Sequence, residues 1–491
     1  MSLSKTKIQL VKLLADQDNK VIALSGRWGT GKTHLWSEVV AASKDEPIKA
    51  SLYVSLFGLS SVDQIKRKLI ESAASAIKAH PDIWKGTRKA VTAGVKALSG
   101  FHKSFEALND FSLLMVAPAI LGKKIIVIDD IERKHEKLGI DEVMGFIDEY
   151  TQRHNSRFIL ILNSDQLVKK QLWDTLREKV IDEEIRLTTT PEEAFEIAAG
   201  SSPSPYAEAI KTASVTCGLI NIRIVRKVIK AANRILGGRE LGSAIQVRVV
   251  PSIVLLSAIH YKGLAEGPDF QFVLGIGSRF DGAEFARDRD HEPTEEESRR
   301  AKWQILVREL GIFGCDEFEV MVVRFLESGL FDEGELDTTI ERYTAENKKM
   351  EAREKVNKFL VKEFWDHRIT DKELVDEART FPDIAEFLDP YTASQLNETL
   401  AAYPDGKSVG QAIIDRWIDS FRANPHSEIN DDNPLNRPLH PAIEELFANL
   451  SAKAQDKLTV VDACTTIIEQ GGWGAMEEVA MRRATVEDFE K

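Results

Sequence analysis

With 491 residues, 43% of them hydrophobic, the chain has material for roughly two to four domains with cores of their own. Its three cysteines, Cys217, Cys315 and Cys464, are odd in number and far apart, which fits neither a disulfide framework nor a C-x-x-C metal half-site and suits a reducing cytoplasm. The net charge of −13 hides an asymmetry: residues 1–250 carry 37 Lys and Arg against 29 Asp and Glu, and residues 251–491 carry 28 against 49. An acidic C-terminal half repels duplex DNA, so any nucleic-acid contact is expected on the N-terminal half or the lid described below. The same surplus also reads as a solvated surface that keeps a helical region soluble. No export signal and no uninterrupted run of ~18 apolar residues is found, so a cytoplasmic chain without a membrane partner is expected.

In chain order, short β-branched runs at 21–25, 51–57, 124–129, 157–163 and 184–188 predict strands, and the Ile/Leu/Ala-rich stretch 62–79 predicts a helix. This alternation predicts an α/β domain over 1–190 built on a parallel sheet. The interval 80–122 is longer than the sheet requires and reads as a helical insertion, with helices near 83–98 and 104–117. From Pro191 the pattern turns helical. Asn221 is placed to cap a helix reaching about Ile235, and 191–245 reads as a small helical lid. The remainder, 246–491, is expected to be acidic and mainly helical. Phe270–Leu274 offers the one strand-like alternation there. Thr294 with Glu297 predicts a capping box, while Val409, Ile413 and Trp417 mark a helix and 424–441 a loop. Trp303, Trp365, Trp417 and Trp473 are expected as core anchors, and Cys464 in a core helix.

Chemistry concentrates at the first strand. Residues 21–36 read Val-Ile-Ala-Leu-Ser-Gly-Arg-Trp-Gly-Thr-Gly-Lys-Thr-His-Leu-Trp, a G-x-x-x-x-G-K-T loop set between an apolar strand and a helix. Gly26, Gly29 and Gly31 let the backbone wrap an anion with its N–H groups inward. Lys32 can reach the β- and γ-phosphates, Thr33 can hold Mg²⁺, and Arg27, Trp28, Thr30 and His34 complete the cofactor-binding stretch. The pattern needs its strand-then-helix context to be specific. A glycine-rich turn without a ligand is the bland alternative.

The run Lys123-Lys-Ile-Ile-Val-Ile-Asp-Asp-Ile-Glu-Arg133 predicts a buried strand that ends in carboxylates, and ligands of parallel sheets sit beyond the carboxyl ends of strands. Asp129 is therefore expected beside the metal. Asp130 is the first choice to orient the attacking water, and Glu132 the second. Two acids capping the following helix is the alternative reading. Asn163, at the end of the run Arg157-Phe-Ile-Leu-Ile-Leu, is placed to position water or sense the γ-phosphate, or simply to start a turn. Ser164, Asp165 and Gln166 do not form the N-K-x-D sequence that reads guanine, so ATP is expected.

The loop Gly26–Thr33 with its Trp-Gly pair, the Ile128-Asp-Asp-Ile-Glu-Arg133 strand end and Leu160-Ile-Leu-Asn-Ser-Asp-Gln166 together resemble the KAP family of P-loop NTPases. The likeness covers roughly residues 1–240, with Glu132 where the family's acidic motif has a third Asp. It implies an AAA+/STAND-like sheet with an additional strand between the two motifs; the helical lid and the mostly α-helical C-terminal region are read from the residue pattern itself. By the same resemblance, Leu176-Arg-Glu-Lys-Val-Ile181 is similar to a phrase after the sensor strand. Arg177 or Lys179 there would complete a neighbouring subunit's site, or merely balance a helix end. Arg223 and Arg226 resemble a nucleotide-sensing lid arginine, against a solvated basic face.

The preferred reading is a Mg²⁺-dependent ATPase acting as a homo-oligomeric switch with a protein effector, and the resemblance implies a role in bacterial antiphage defence. A DNA-directed ATPase of the initiator or loader kind is a rival reading, and a non-hydrolysing nucleotide-bound scaffold another. No H-x-x-x-H pair, Cys/His set or G-x-S-x-G elbow suggests other chemistry.

Overall fold

A computed structural model describes residues 2–79, 117–163, 178–277, 294–423, 437–457, 460–470, 481–482 and 484. Arg177, Trp473, residues 424–436 of the expected loop, and the insertion helices near 83–98 and 104–117 (but for residue 117) lie outside the described residues.

All five apolar runs form strands: β1 (Val21–Gly26), β2 (Leu52–Ser55), β3 (Ile125–Asp129), β4 (Arg157–Leu162) and β5 (Glu183–Leu187). They make one parallel sheet in the order β2-β3-β4-β1-β5, with Tyr53 opposite Val127, Ile128 opposite Leu160, Leu160 opposite Ala23 and Leu24 opposite Ile185. The inner strands β1, β3 and β4 are buried along their whole length, which explains why their sequences are unbroken apolar runs. The edge strand β2 alternates instead. β4 separates β1 from β3 by one strand, so the glycine loop and the acidic tip open at the same end of the sheet with a gap between them.

Helices cover both faces. Leu10, Leu14, Leu35, Trp36 and Val39 pack with Ile22, Leu24, Val127 and Ile159 on one face. Ile65, Leu69, Phe146, Ile147 and Tyr150 pack with Ala23, Val54, Ile128 and Leu160 on the other. Arg157 fastens the N-terminal helix Leu3–Ala15 to the sheet. Its guanidinium donates to the carbonyls of Leu14 at 2.8 Å, Asp16 at 2.7 Å and Asn19 at 2.9 Å, closing the C-terminal end of that helix.

After β5 the chain is helical. Thr190 and Glu193 form a capping box for Pro191–Gly200, and Asn221 caps Ile222–Leu236. Ser243–His260 packs against Ala207–Thr216, Ile222–Leu236 and Glu317–Ser328. Among the described residues it is the one helix long and apolar enough, by length and composition, to cross a membrane, and ten of its residues are buried in protein. Its Arg248 forms a partly buried ion pair with Glu319 of Glu317–Ser328. Glu319, fully buried, accepts from Arg248 at 2.5 and 3.1 Å, from the Ser252 hydroxyl at 2.6 Å and from the Asp316 amide at 3.0 Å.

The chain divides into two compact units, Met1–Leu336 and Asp337–Lys491. The helices from Ser243 to Ser328 fall in the first unit, with Ser243–His260 packed on Ala207–Thr216 and Ile222–Leu236. The second unit has its own core of Phe359, Phe381, Leu396, Ile413, Ile414, Trp417 and Ile443.

Two expectations are corrected. Phe270–Leu274 is a short helix, because Asp269 accepts from the Phe272 amide at 2.8 Å and starts a turn where the alternation suggested a strand. Trp365 is 71% exposed at the end of the helix Glu333–Trp365, so it anchors no core; Trp417 does, with its indole donating to the Leu388 carbonyl at 3.0 Å. Trp303 is half-buried, packed edge-on against Phe272.

Candidate functional site

The glycine loop leaves β1 at Gly26 and enters the helix Lys32–Ala42 at Gly31. Gly29 and Gly31 have φ of +78° and +90°, the left-handed region that an L side chain resists. Space is equally restrictive. A Cβ on Gly26 would lie 2.7 Å from the Leu187 carbonyl oxygen, one on Gly29 2.0 Å from Asn221 Oδ1, and one on Gly31 2.7 Å from Ile222 Cδ1. The loop is therefore gripped by the end of β5 and by the first residues of the lid helix, with the Ile222 amide donating to the Gly29 carbonyl at 2.9 Å. Thr189, just after β5, adds a hydroxyl bond of 2.5 Å to the Thr30 carbonyl.

Lys32 is nearly buried, and its ammonium donates to the carbonyls of Gly26 and Arg27, both at 2.8 Å. These bonds keep it with its own loop. Thr33 faces the other way and donates its hydroxyl to Asp129 Oδ2 at 2.8 Å, joining the loop to the tip of β3 across the width of β4. His34 turns to Glu38 of its own helix at 3.4 Å. Arg27 and Trp28 are exposed.

The acidic tip is organised by the edge strand. Asp129 Oδ2 also accepts from the Tyr53 hydroxyl at 2.8 Å, while Oδ1 accepts from the Asp130 amide at 2.8 Å. Asp130 has φ +57°, and its carboxylate accepts from the Ser55 hydroxyl at 2.7 Å and lies 3.6 Å from Arg133. Tyr53 and Ser55 are two residues apart on β2 and so project from one face of it. Arg133 itself lies over two exposed rings, 4.0 Å from the centroid of Phe57 and 5.2 Å from that of Trp28.

Glu132 is placed differently. Its carboxylate accepts from the Asn163 amide at 3.4 Å, and burial pushes it above the ordinary carboxylate range, with backbone hydrogen bonds and the charge of Lys32 opposing that shift. Asn163 is buried at the end of β4. So Lys32, Thr33, Asp129, Asp130, Glu132 and Asn163 all meet at one end of the sheet. Of the lid arginines, Arg223 lies near enough to Tyr53 for its charge to act on that hydroxyl, and Arg226 has a buried Nε without a hydrogen-bond partner. Lys179 is exposed, and Arg177 lies outside the described residues.

These residues fit a magnesium-bound nucleoside triphosphate. The cradle admits no Cβ, and an ammonium stands at the head of a helix. Thr33 and Asp129 offer hard oxygen donors, as Mg²⁺ requires. Among the described residues no group of three or more His, Cys, Asp or Glu could hold a metal alone. Magnesium would therefore need phosphate oxygens and water to complete its shell, which is its usual habit beside phosphates. Cys217 and Cys315 are inert by comparison, since burial pushes their thiols up to about 12.

Residues 4–102 match the model of the KAP family P-loop domain. This KAP match contains the whole glycine loop together with Tyr53 and Ser55, and it ends before the acidic strand. Among solved structures, a mutant of RuvB from Thermotoga maritima is similar at 15% identity, over 63% of this chain and 85% of that one, with a TM-score of 0.28. No curated protein matches the sequence. The match supports reading Gly26–Thr33 as the nucleotide-binding loop of a P-loop domain.

The sequence pointed to the loop, the acids and Asn163, and missed Tyr53, Ser55 and Thr189. Tyr53 and Ser55 had a signal, hydroxyl residues at spacing two in an otherwise apolar strand, but only the strand order makes β2 the neighbour of β3.

Proposed function

We propose that the chain binds Mg²⁺ and ATP at the Gly26–Thr33 loop and hydrolyses the γ-phosphate. The observation that carries this is the 2.8 Å bond from Thr33 to Asp129, which brings the phosphate-loop hydroxyl and the strand-tip carboxylate to one point. A bound Mg²⁺, held through Thr33 and Asp129, would supply neutralisation of the phosphate charge. The loop amides and Lys32 hold the phosphates in place. Asp130 receives the proton of the attacking water as its oxygen bonds to the γ-phosphorus and the bond to the ADP oxygen breaks. Glu132 is the other acid for this step, since it stands beside Asn163 and within reach of Lys32's charge.

Calorimetry with ATP in the presence and absence of Mg²⁺, followed by phosphate-release assays on wild type, Lys32→Ala, Asp130→Asn and Glu132→Gln, tests the reading. Magnesium-dependent heat lost in Lys32→Ala, with turnover lost in one of the two acid variants, is expected. No heat with any nucleoside triphosphate would sink it.

ATP binding is further proposed to order a homo-oligomer, with the acidic helical unit recruiting a protein effector, in keeping with the defence role that the resemblance implies. Its support is the grip of the lid helix on the phosphate loop through Asn221 and Ile222, which links nucleotide to lid position. Solution mass with and without a slowly hydrolysed ATP analogue tests it, and an unchanged monomer in both would refute it.

A further inference from the structure

Asp129 is nearly buried, and a carboxylate has roughly four lone-pair sites. Three are taken: both on Oδ2, by Thr33 and Tyr53, and one on Oδ1, by the Asp130 amide. The Thr33 and Asp130 donors come from the two motifs that the P-loop reading already uses. Tyr53 belongs to neither. It reaches in from the edge strand β2, where its register partner Val127 stands two residues before Asp129.

We propose that Tyr53 is a positioning residue for the metal site: its hydroxyl locks the Asp129 carboxylate in one rotamer, which leaves one Oδ1 lone pair available to a bound metal. This rests on the assignment of Asp129 as the metal-associated acid. Two features support it. The ring is held by a strand rather than a loop, which fixes the direction of the donated hydrogen. Ser55, next on the same face, is committed to Asp130, so Asp129 receives no second hydroxyl from β2. Groups that orient a metal's carboxylate commonly alter metal affinity by ~10- to 100-fold when removed.

The test is Tyr53→Phe, which keeps the ring and deletes one oxygen. Mn²⁺ affinity in the presence of ATP, read by electron paramagnetic resonance of free Mn²⁺, is expected to fall about tenfold. ATP affinity without metal should stay within twofold, and turnover lost at low Mg²⁺ should return when Mg²⁺ is raised. In an Asp129→Asn background the same substitution should weaken Mn²⁺ no further, since Tyr53 acts through that carboxylate. Unchanged Mn²⁺ affinity in a Tyr53→Phe protein that melts like wild type overturns the proposal. So does an equal loss in the Asp129→Asn background, or a fall in metal-free ATP affinity, which would make Tyr53 a nucleotide contact. Wild type that binds no Mn²⁺ with ATP would instead remove the ATPase reading beneath it.

Discussion

Gly29→Ala isolates the coupling between loop and lid. Gly29 has φ +78°, where an alanine costs ~1–2 kcal/mol. The new methyl would also lie 2.0 Å from Oδ1, 2.3 Å from Cγ and 2.6 Å from Nδ2 of Asn221. Asn221 cannot step aside freely, because its Oδ1 caps the lid helix by accepting from the amides of Arg223 at 3.1 Å and Ile224 at 3.4 Å. Losing that cap costs about 1 kcal/mol more. The total is ~2–3 kcal/mol. Gly58→Ala is the control, for Gly58 has φ +74° with no heavy atom within 4 Å of the methyl position, so it pays the backbone cost alone. Melting curves should place Gly29→Ala below Gly58→Ala. Adding Asn221→Ala to Gly29→Ala should cost less than the two single losses combined, since the cap is lost only once. Nucleotide affinity should fall at least tenfold in Gly29→Ala and little in Gly58→Ala. Equal melting temperatures for the two glycine variants, or strict additivity with Asn221→Ala, would refute the coupling.

Three further outcomes are expected. Lys32→Ala should abolish nucleotide heat in calorimetry while the chain stays folded, because the ammonium's bonds to the two loop carbonyls can be replaced by water. Glu132→Gln should raise the melting temperature at neutral pH. Burial raises this carboxyl above its ordinary 4.5 in the folded chain, so wild type gains stability as pH falls through that raised value, and the variant should lack this gain when melts are compared from pH 8 to pH 4. Arg248→Met should cost ~3–5 kcal/mol, measured by denaturant unfolding, because it strands the fully buried Glu319 without its cation. The double variant Arg248→Met with Glu319→Leu should recover much of that loss.

The sheet was legible because parallel strands buried on both faces cannot alternate: Ile125–Asp129 and Arg157–Leu162 announce themselves as apolar runs closed by polar residues. The loop was legible for a different reason, since few sequences other than an anion cradle place glycines where Gly26, Gly29 and Gly31 stand. What stayed hidden is tertiary. Asn221 was readable as a helix cap, but its seat on Gly29 joins residues 192 positions apart, and no local pattern encodes that. Tyr53 lay within an expected strand, yet its role follows from β2 lying beside β3 rather than beside β1. Trp365 misled because helical spacing cannot tell a buried face from an exposed one when the neighbouring element is unknown.

The site also implies an order of events. Lys32 is bonded to Gly26 and Arg27, and Asp129 to Thr33 and Tyr53, so each charged group already has partners within the chain. A hydrogen bond to a charged group contributes ~1.5–3 kcal/mol net, so a phosphate must offer Lys32 at least as much before its two carbonyls are given up. Those carbonyls belong to the loop that Asn221 and Ile222 grip. Releasing Lys32 therefore loosens the same loop that the lid residues hold at Gly29 and Gly31, whereas Asp129 is joined to that loop through Thr33. Weakening the lid contact should consequently alter how tightly nucleotide binds before it alters how fast the phosphate is cleaved, whereas substitutions on β2 should act in the reverse order.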